Sequence, residues 1–141
     1  AAEGASFIDT RLSDPQGNIR SLSDYIAKGK VVILNFWSST NSASLKEQRM
    51  LALYEQKNSN RVTVIGLSLD TNISEWLKSI KENSLSSVQL TDAKGWSSAP
   101  LRLYGVNSNP YCIVIDADGT ILKRCSTASD ALNLVNAVLN K

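Results

Sequence analysis

Val31-Val32-Ile33-Leu34-Asn35-Phe36-Trp37 runs without a break into Ser38-Ser39-Thr40-Asn41-Ser42-Ala43-Ser44, and this junction decides the fold. Its first half is a continuous apolar, β-branched run, which predicts a strand buried on both faces of a sheet. Its second half is small and polar, and Ser, Thr and Asn are residue types that cap helix N-termini. A helical pattern follows, with Leu45, Met50, Leu53 and Tyr54 spaced among Lys46, Glu47, Gln48, Arg49 and Glu55. A buried strand entering a helix N-terminus is a place where α/β proteins build sites, because free N–H groups and the helix dipole meet there.

On the N-terminal side, Ser6 to Leu12 is predicted as a short strand. Asp14-Pro15-Gln16-Gly17 has the residues of a type I turn, and Asn18 to Leu22 returns as the second arm of a hairpin. Ser23-Asp24-Tyr25 reads as a short helical start. Residues 1–5 are expected to lie outside the ordered part of a single domain spanning 1–141; they contain no signal peptide, which leaves export unreadable from them.

On the C-terminal side, Arg61 to Leu69 is a second buried strand. Asn72 or Ser74 caps a helix to about Asn83 with Ile73, Trp76, Leu77 and Ile80 on one face. Asn72-Ile73-Ser74 is also a glycosylation triplet, but capping explains it better. Ser87 to Leu90 is a short extended piece, and Ser97 to Tyr104 a helix that tolerates Pro100 in its first turn and ends at Gly105. Val106 to Ile115 and Thr120 to Cys125 flank a hairpin turn at Asp116-Ala117-Asp118-Gly119. That turn starts like a calcium loop but lacks the third acidic ligand and the closing Glu. Thr127 or Ser129 caps a last helix striped with Leu132, Val135, Val138 and Leu139. Strands alternating with helices imply a parallel core with right-handed crossovers, to which the hairpin adds an antiparallel edge.

Composition removes whole classes of function. The 141 residues are 43% hydrophobic and 20% charged, with a net charge of +2 and no Lys/Arg cluster, so there is no electrostatic footprint for nucleic acid. No apolar run approaches the ~20 residues that span a bilayer. There is no histidine, hence no Ser-His-Asp triad, no Cys-His pair and no His-ligated metal. The acidic residues are scattered singly, two cysteines are too few for a four-cysteine metal site, and neither a cofactor nor a metal is expected.

Those two cysteines invite a pairing. With Asp116 opposite Ile121 across the turn, Cys112 falls opposite Cys125, whereas a shifted register would set Cys112 opposite Lys123. Free core thiols and a structural disulfide both remain open. A catalytic pair is disfavoured because neither sulfur sits at a helix N-terminus.

Asn35-Phe36-Trp37 before the helix, Leu22-Ser23-Asp24-Tyr25 followed by Gly29-Lys30-Val31-Val32, Tyr104-Gly105-Val106 with Pro110, and Ile115-Asp116-Ala117-Asp118-Gly119 together resemble the exported TlpA/ResA branch of thioredoxin-like thiol–disulfide oxidoreductases, over nearly the whole chain. The resemblance implies a thioredoxin-like α/β fold, a central mixed sheet flanked by helices with an N-terminal hairpin and an inserted helix. It places Trp37 on the family's tryptophan, Asn41 on its first redox cysteine and Ser44 on its second, so both sulfurs of the CxxC are missing. It sets Glu47 on the acidic residue after the second cysteine, Thr40 on an aromatic position, Arg49 on a helix-kinking proline, and Asn35 where cytosolic relatives bury a carboxylate. It puts Pro110 on the cis-proline beside the active-site turn, with Asn109 where the family's backbone pairs with extended peptides.

The resemblance further implies the periplasm or cell envelope of a bacterium, and a monomer with an extended peptide or envelope protein as partner. A dithiol needs two thiols three apart at a helix N-terminus, and Asn41 offers no nucleophile while Ser44 has no base to activate it. A peroxidase of the peroxiredoxin kind would also want its cysteine near Asn41. The expectation is therefore a scaffold that binds rather than reacts, with redox use of Cys112 and Cys125, or of a partner's thiols, as the alternative.

Overall fold

A computed structural model describes residues 1–141. Strands β1 (Arg11–Ser13) and β2 (Ile19–Ser21) form a small antiparallel sheet, joined by the Asp14–Gly17 turn in which the Gly17 N–H donates to the Asp14 carbonyl at 3.0 Å. The main sheet holds β3 (Val31–Trp37), β4 (Val62–Ser68), β5 (Val88–Leu90), β6 (Tyr111–Ile115) and β7 (Ile121–Cys125) in the order β5-β4-β3-β6-β7. β3 runs parallel to β4 and β4 to β5, while β6 is antiparallel to β3 and β7 to β6. Helices α1 (Ser42–Lys57) and α2 (Ile73–Glu82) make the crossovers, α3 (Ala99–Tyr104) leads to β6, and α4 (Ala128–Leu139) closes the chain.

β3 is buried along its whole length, as its unbroken apolar run requires. Its even-numbered side chains, Val32, Leu34 and Phe36, share a core with Leu12, Leu22, Ile65, Leu101 and Tyr104. Its odd-numbered Val31 and Ile33 share another with Val62, Val64, Leu51, Cys112, Val114 and Val135. This is the thioredoxin-like arrangement expected from the sequence, with α2–β5 as the insertion.

Several expectations are corrected. β1 begins at Arg11 rather than Ser6, which instead makes an isolated bridge to Thr120, and β6 begins at Tyr111 rather than Val106. Residues 1–5 do not lie apart: Gly4 N–H donates to the Ile121 carbonyl at 2.8 Å, Ile121 N–H to Ala5 at 2.8 Å, and Arg124 N–H to Glu3 Oε2 at 2.9 Å. A 3-10 turn at Gly95–Ser97 precedes a shorter α3, which ends on Gly105 in the left-handed region at φ 65°. On α1 the apolar residue facing the sheet is Leu51, not Leu53, which is 60% exposed. On α2 Trp76 is buried, but Ile73 and Leu77 face solvent. With Arg49 in place of a proline, α1 runs without interruption.

Candidate functional site

The end of β3 and the first turn of α1 form the site. Asn41 is the N-cap of α1: its Oδ1 accepts the Ser44 N–H at 2.9 Å. Ser44 has no solvent exposure and its hydroxyl is fully used. It accepts the Ser38 N–H at 3.0 Å, and its proton faces the carbonyls of Asn41 and Ser38 at 3.0 and 3.3 Å. An oxygen so engaged, with no base nearby, is a structural link and not a nucleophile.

The loop before β6 comes up against this turn, and its Asn109–Pro110 peptide bond is cis. Asn41 Nδ2 donates to the Asn109 carbonyl at 3.4 Å, and Asn109 Nδ2 donates to Ser38 Oγ at 3.2 Å. Thr40 Oγ1 lies 3.4 Å from the same Ser38 Oγ. Asn41, Ser44 and Asn109, set out separately in the sequence, thus form one cluster of neutral polar groups with Ser38 at its centre, and Pro110 follows Asn109 through the cis bond.

Trp37 and Glu47 stand outside it. Trp37 is fully buried beside Trp76 and Leu85, its Nε1 donating to Gln89 Oε1 at 3.1 Å. Glu47 is half-buried one turn further along α1, lining a shallow cavity of about 290 Å³ with Lys46, Thr127 and Ser129. The larger cavities lie away from the turn. One of about 340 Å³ runs between the Asp14–Gln16 turn and β5, and one of about 430 Å³ lies beside Lys30, Glu55 and Ser87.

The sequence reading missed three residues that hold the site in place. Asp70 is buried at the end of β4, and its carboxylate accepts the Ser39 N–H at 3.0 Å, the Ser39 hydroxyl at 2.7 Å and the Ser68 hydroxyl at 2.7 Å. It thereby ties the turn to the neighbouring strand. Gln48 is fully buried and accepts from Asn35 Nδ2 at 2.6 Å, with its own Nε2 left unpartnered. Its place four residues after Ser44, on the same helix face as Ala52, was the available signal. Gln89 was hidden because its importance depends on Gly66. Register places Asn35, Gly66 and Gln89 side by side on β3, β4 and β5, and the missing side chain of Gly66 leaves room for the Gln89 amide to reach Trp37.

The same row continues the other way to Cys112, opposite Asn35, and Cys125, opposite Cys112. Of the two registers open in the sequence, the cysteines take the paired one. They do so through a bulge: Ile115, not Asp116, faces Ile121, and an irregularity between Val114 and Ile115 restores the Cys112–Cys125 match. Both thiols are free and buried. Cys112 donates to Asn35 Oδ1 at 3.4 Å. Burial pushes its thiol pKa far up, the Glu47 carboxylate adding to it, and burial raises that of Cys125 as well. Neither sulfur is poised as a thiolate.

The AhpC/TSA family profile matches residues 4–124, most of the chain. The chain belongs to the AhpC/TSA family. Among solved structures, this family member is similar to the thioredoxin domain of a thiol-disulfide oxidoreductase from Bacteroides vulgatus, with 28% identity over 98% of each chain and a TM-score of 0.83. It is also similar to a thiol:disulfide interchange protein from Bacteroides sp., with 28% identity over 99% of this chain and 91% of the other and a TM-score of 0.81. A thiol-disulfide oxidoreductase from Bacteroides fragilis shares the fold at 24% identity over 93% and 99% of the two chains, with a TM-score of 0.80. Comparison with curated proteins gives no significant match. The chain is thus a thioredoxin-like protein of the thiol–disulfide oxidoreductase family, and no helix in it is long and apolar enough to cross a membrane.

Proposed function

We propose that this protein is a redox-inactive binding or accessory module of the bacterial cell envelope, descended from exported TlpA/ResA-type oxidoreductases, that docks an extended polypeptide beside Asn109–Pro110. One observation carries the loss of redox activity: the two turn positions where the family has thiols hold Asn41 and Ser44, both committed to internal hydrogen bonds. Docking is supported by the segment leading into β6. The backbone groups of Asn107 and Ser108 make no hydrogen bond within the chain, and both residues are exposed. An extended chain can satisfy such groups as an added strand does. The envelope location rests on the family resemblance.

The test is titration of the labelled protein with carbamidomethylated insulin B chain, an extended polypeptide without thiols, followed by NMR. Shifts confined to residues 38–41 and 107–110 are expected; shifts elsewhere, or none, reject the docking reading. A second reading, exchange through Cys112 and Cys125, draws on their opposition across β6 and β7. Their burial and raised pKa weigh against it.

A further inference from the structure

Asn41 does two jobs with one side chain. Its Oδ1 caps α1 through the Ser44 N–H, and its Nδ2 reaches across to the Asn109 carbonyl. Ser, Thr and Asp would serve the first job as well. Ser and Thr carry donor and acceptor on one hydroxyl oxygen and Asp carries no donor, so only Asn brings a separate donor nitrogen that can reach past the capping oxygen. Asn109 answers with its own Nδ2 on Ser38 Oγ, so two hydrogen bonds clasp the turn to the Pro110 loop. Within residues 107–109 the Asn109 carbonyl is the single backbone group with a partner, and that partner is the Asn41 amide at 3.4 Å.

We infer that Asn41 gates the docking segment: its amide holds the acceptor that an extended polypeptide needs to run alongside Asn107–Asn109. This rests on the docking reading given above and specifies how that site is controlled. An incoming backbone N–H exchanges for the Asn41 Nδ2–H on the Asn109 carbonyl, and no other bond need break. The bond given up is long, at the outer limit of hydrogen-bond geometry, while a strand N–H docks near 2.9 Å. The gate therefore weakens binding modestly and selects for partners that present a backbone donor at that point. A partner bound by side-chain contacts alone leaves the clasp closed and is indifferent to Asn41.

Asn41→Ser and Asn41→Asp test this, because both keep a cap oxygen for the Ser44 N–H and remove the amide nitrogen that reaches the Asn109 carbonyl. Neither loses the cap, so melting temperatures close to the parent's are expected, and either variant suffices if the other fails to fold. With carbamidomethylated insulin B chain as probe, Asn41→Ser is expected to bind about fivefold tighter than the parent, the equivalent of about 1 kcal/mol for one hydrogen bond no longer displaced. Asn41→Asp changes in the same direction, since a carboxylate facing the Asn109 carbonyl opens the clasp by repulsion. Equal or weaker binding by folded variants, with the parent still binding, overturns the gate and leaves the docking reading standing. Absence of binding by parent and variants alike overturns the docking reading, and the gate with it.

Discussion

Asn35 Nδ2 and Gln48 Oε1 lie 2.6 Å apart with both side chains fully shielded from water. This bond fastens the middle of β3 to the second turn of α1, the helix whose N-terminus builds the site. Gln48→Leu leaves the Asn35 amide without an acceptor in the core, so a loss of about 1–3 kcal/mol is expected in urea denaturation. Adding Asn35→Leu removes the other polar partner, and the double variant should be more stable than the sum of the single losses predicts. Strict additivity would show that the two side chains do not depend on each other.

Gly66 is required by contact rather than by conformation. A Cβ there would sit 2.1 Å from Gln89 Oε1 and 2.8 Å from Trp37 Nε1. Gly66→Ala should therefore break the Trp37–Gln89 hydrogen bond and cost about 1–3 kcal/mol through overpacking. Altered tryptophan fluorescence together with a lower urea midpoint is the expected signature. An unchanged midpoint would mean that β5 moves aside freely.

These two clusters mark where sequence reading stops. β3, the turn at Asp14–Gly17, a helix cap within Ser38–Ser44 and the hairpin at Asp116–Gly119 were all legible, because each rests on local chemistry: a β-branched run, turn residues, capping side chains. Gln48, Gln89 and Asp70 were not, because a polar residue is recognised as buried only once its partner on another element is known. Leu45, Met50 and Tyr54 pack against the cores as their spacing implies, but Leu53 points outward and Leu51, two helix positions away, takes the buried place. Ile73 and Leu77 were assigned to a core that the short inserted helix does not have on that side.

Tyr104 provides a pH-dependent test of how the N-terminal segment is held. Its hydroxyl accepts the Ile8 N–H at 2.9 Å and donates to the Ile8 carbonyl at 2.5 Å, and burial pushes its pKa up from 10.0 to about 12. The fold thus favours the neutral phenol. Its contribution is complete below pH 10, the unfolded value, and is lost as pH rises through about 12. Tyr104→Phe should lower stability by about 1–3 kcal/mol at neutral pH, since both Ile8 groups lose their partner. It should also flatten the decline of stability between pH 10 and 12, and a decline as steep as the parent's would contradict this assignment. Cys112 titrates in both proteins and cancels in the comparison.

The turn proposed to have lost its thiols can be challenged directly. Asn41→Cys with Ser44→Cys places two sulfurs three residues apart at the N-terminus of α1. The first thiol is expected to have a pKa below the ~8.5 of a free cysteine, and the variant to gain thiol–disulfide exchange. Loss of the Asn41 cap and of the Ser44 hydroxyl's bonds to Ser38 and Asn41 costs about 2–4 kcal/mol together, which a folded domain of this size tolerates. A folded double variant with an ordinary thiol pKa and no exchange would show that the turn has diverged in geometry as well as in residues.

The natural protein is expected to perform no thiol–disulfide exchange, since exchange begins with attack by a thiolate and both cysteines are buried with their thiol pKa values pushed up. The most direct measurement is the turbidity assay of insulin reduction by dithiothreitol, run with and without the protein. Identical time courses are expected, with slow alkylation of Cys112 and Cys125 in the folded state. Acceleration above the dithiothreitol background, abolished by Cys112→Ser or Cys125→Ser in a variant that still folds, would contradict it.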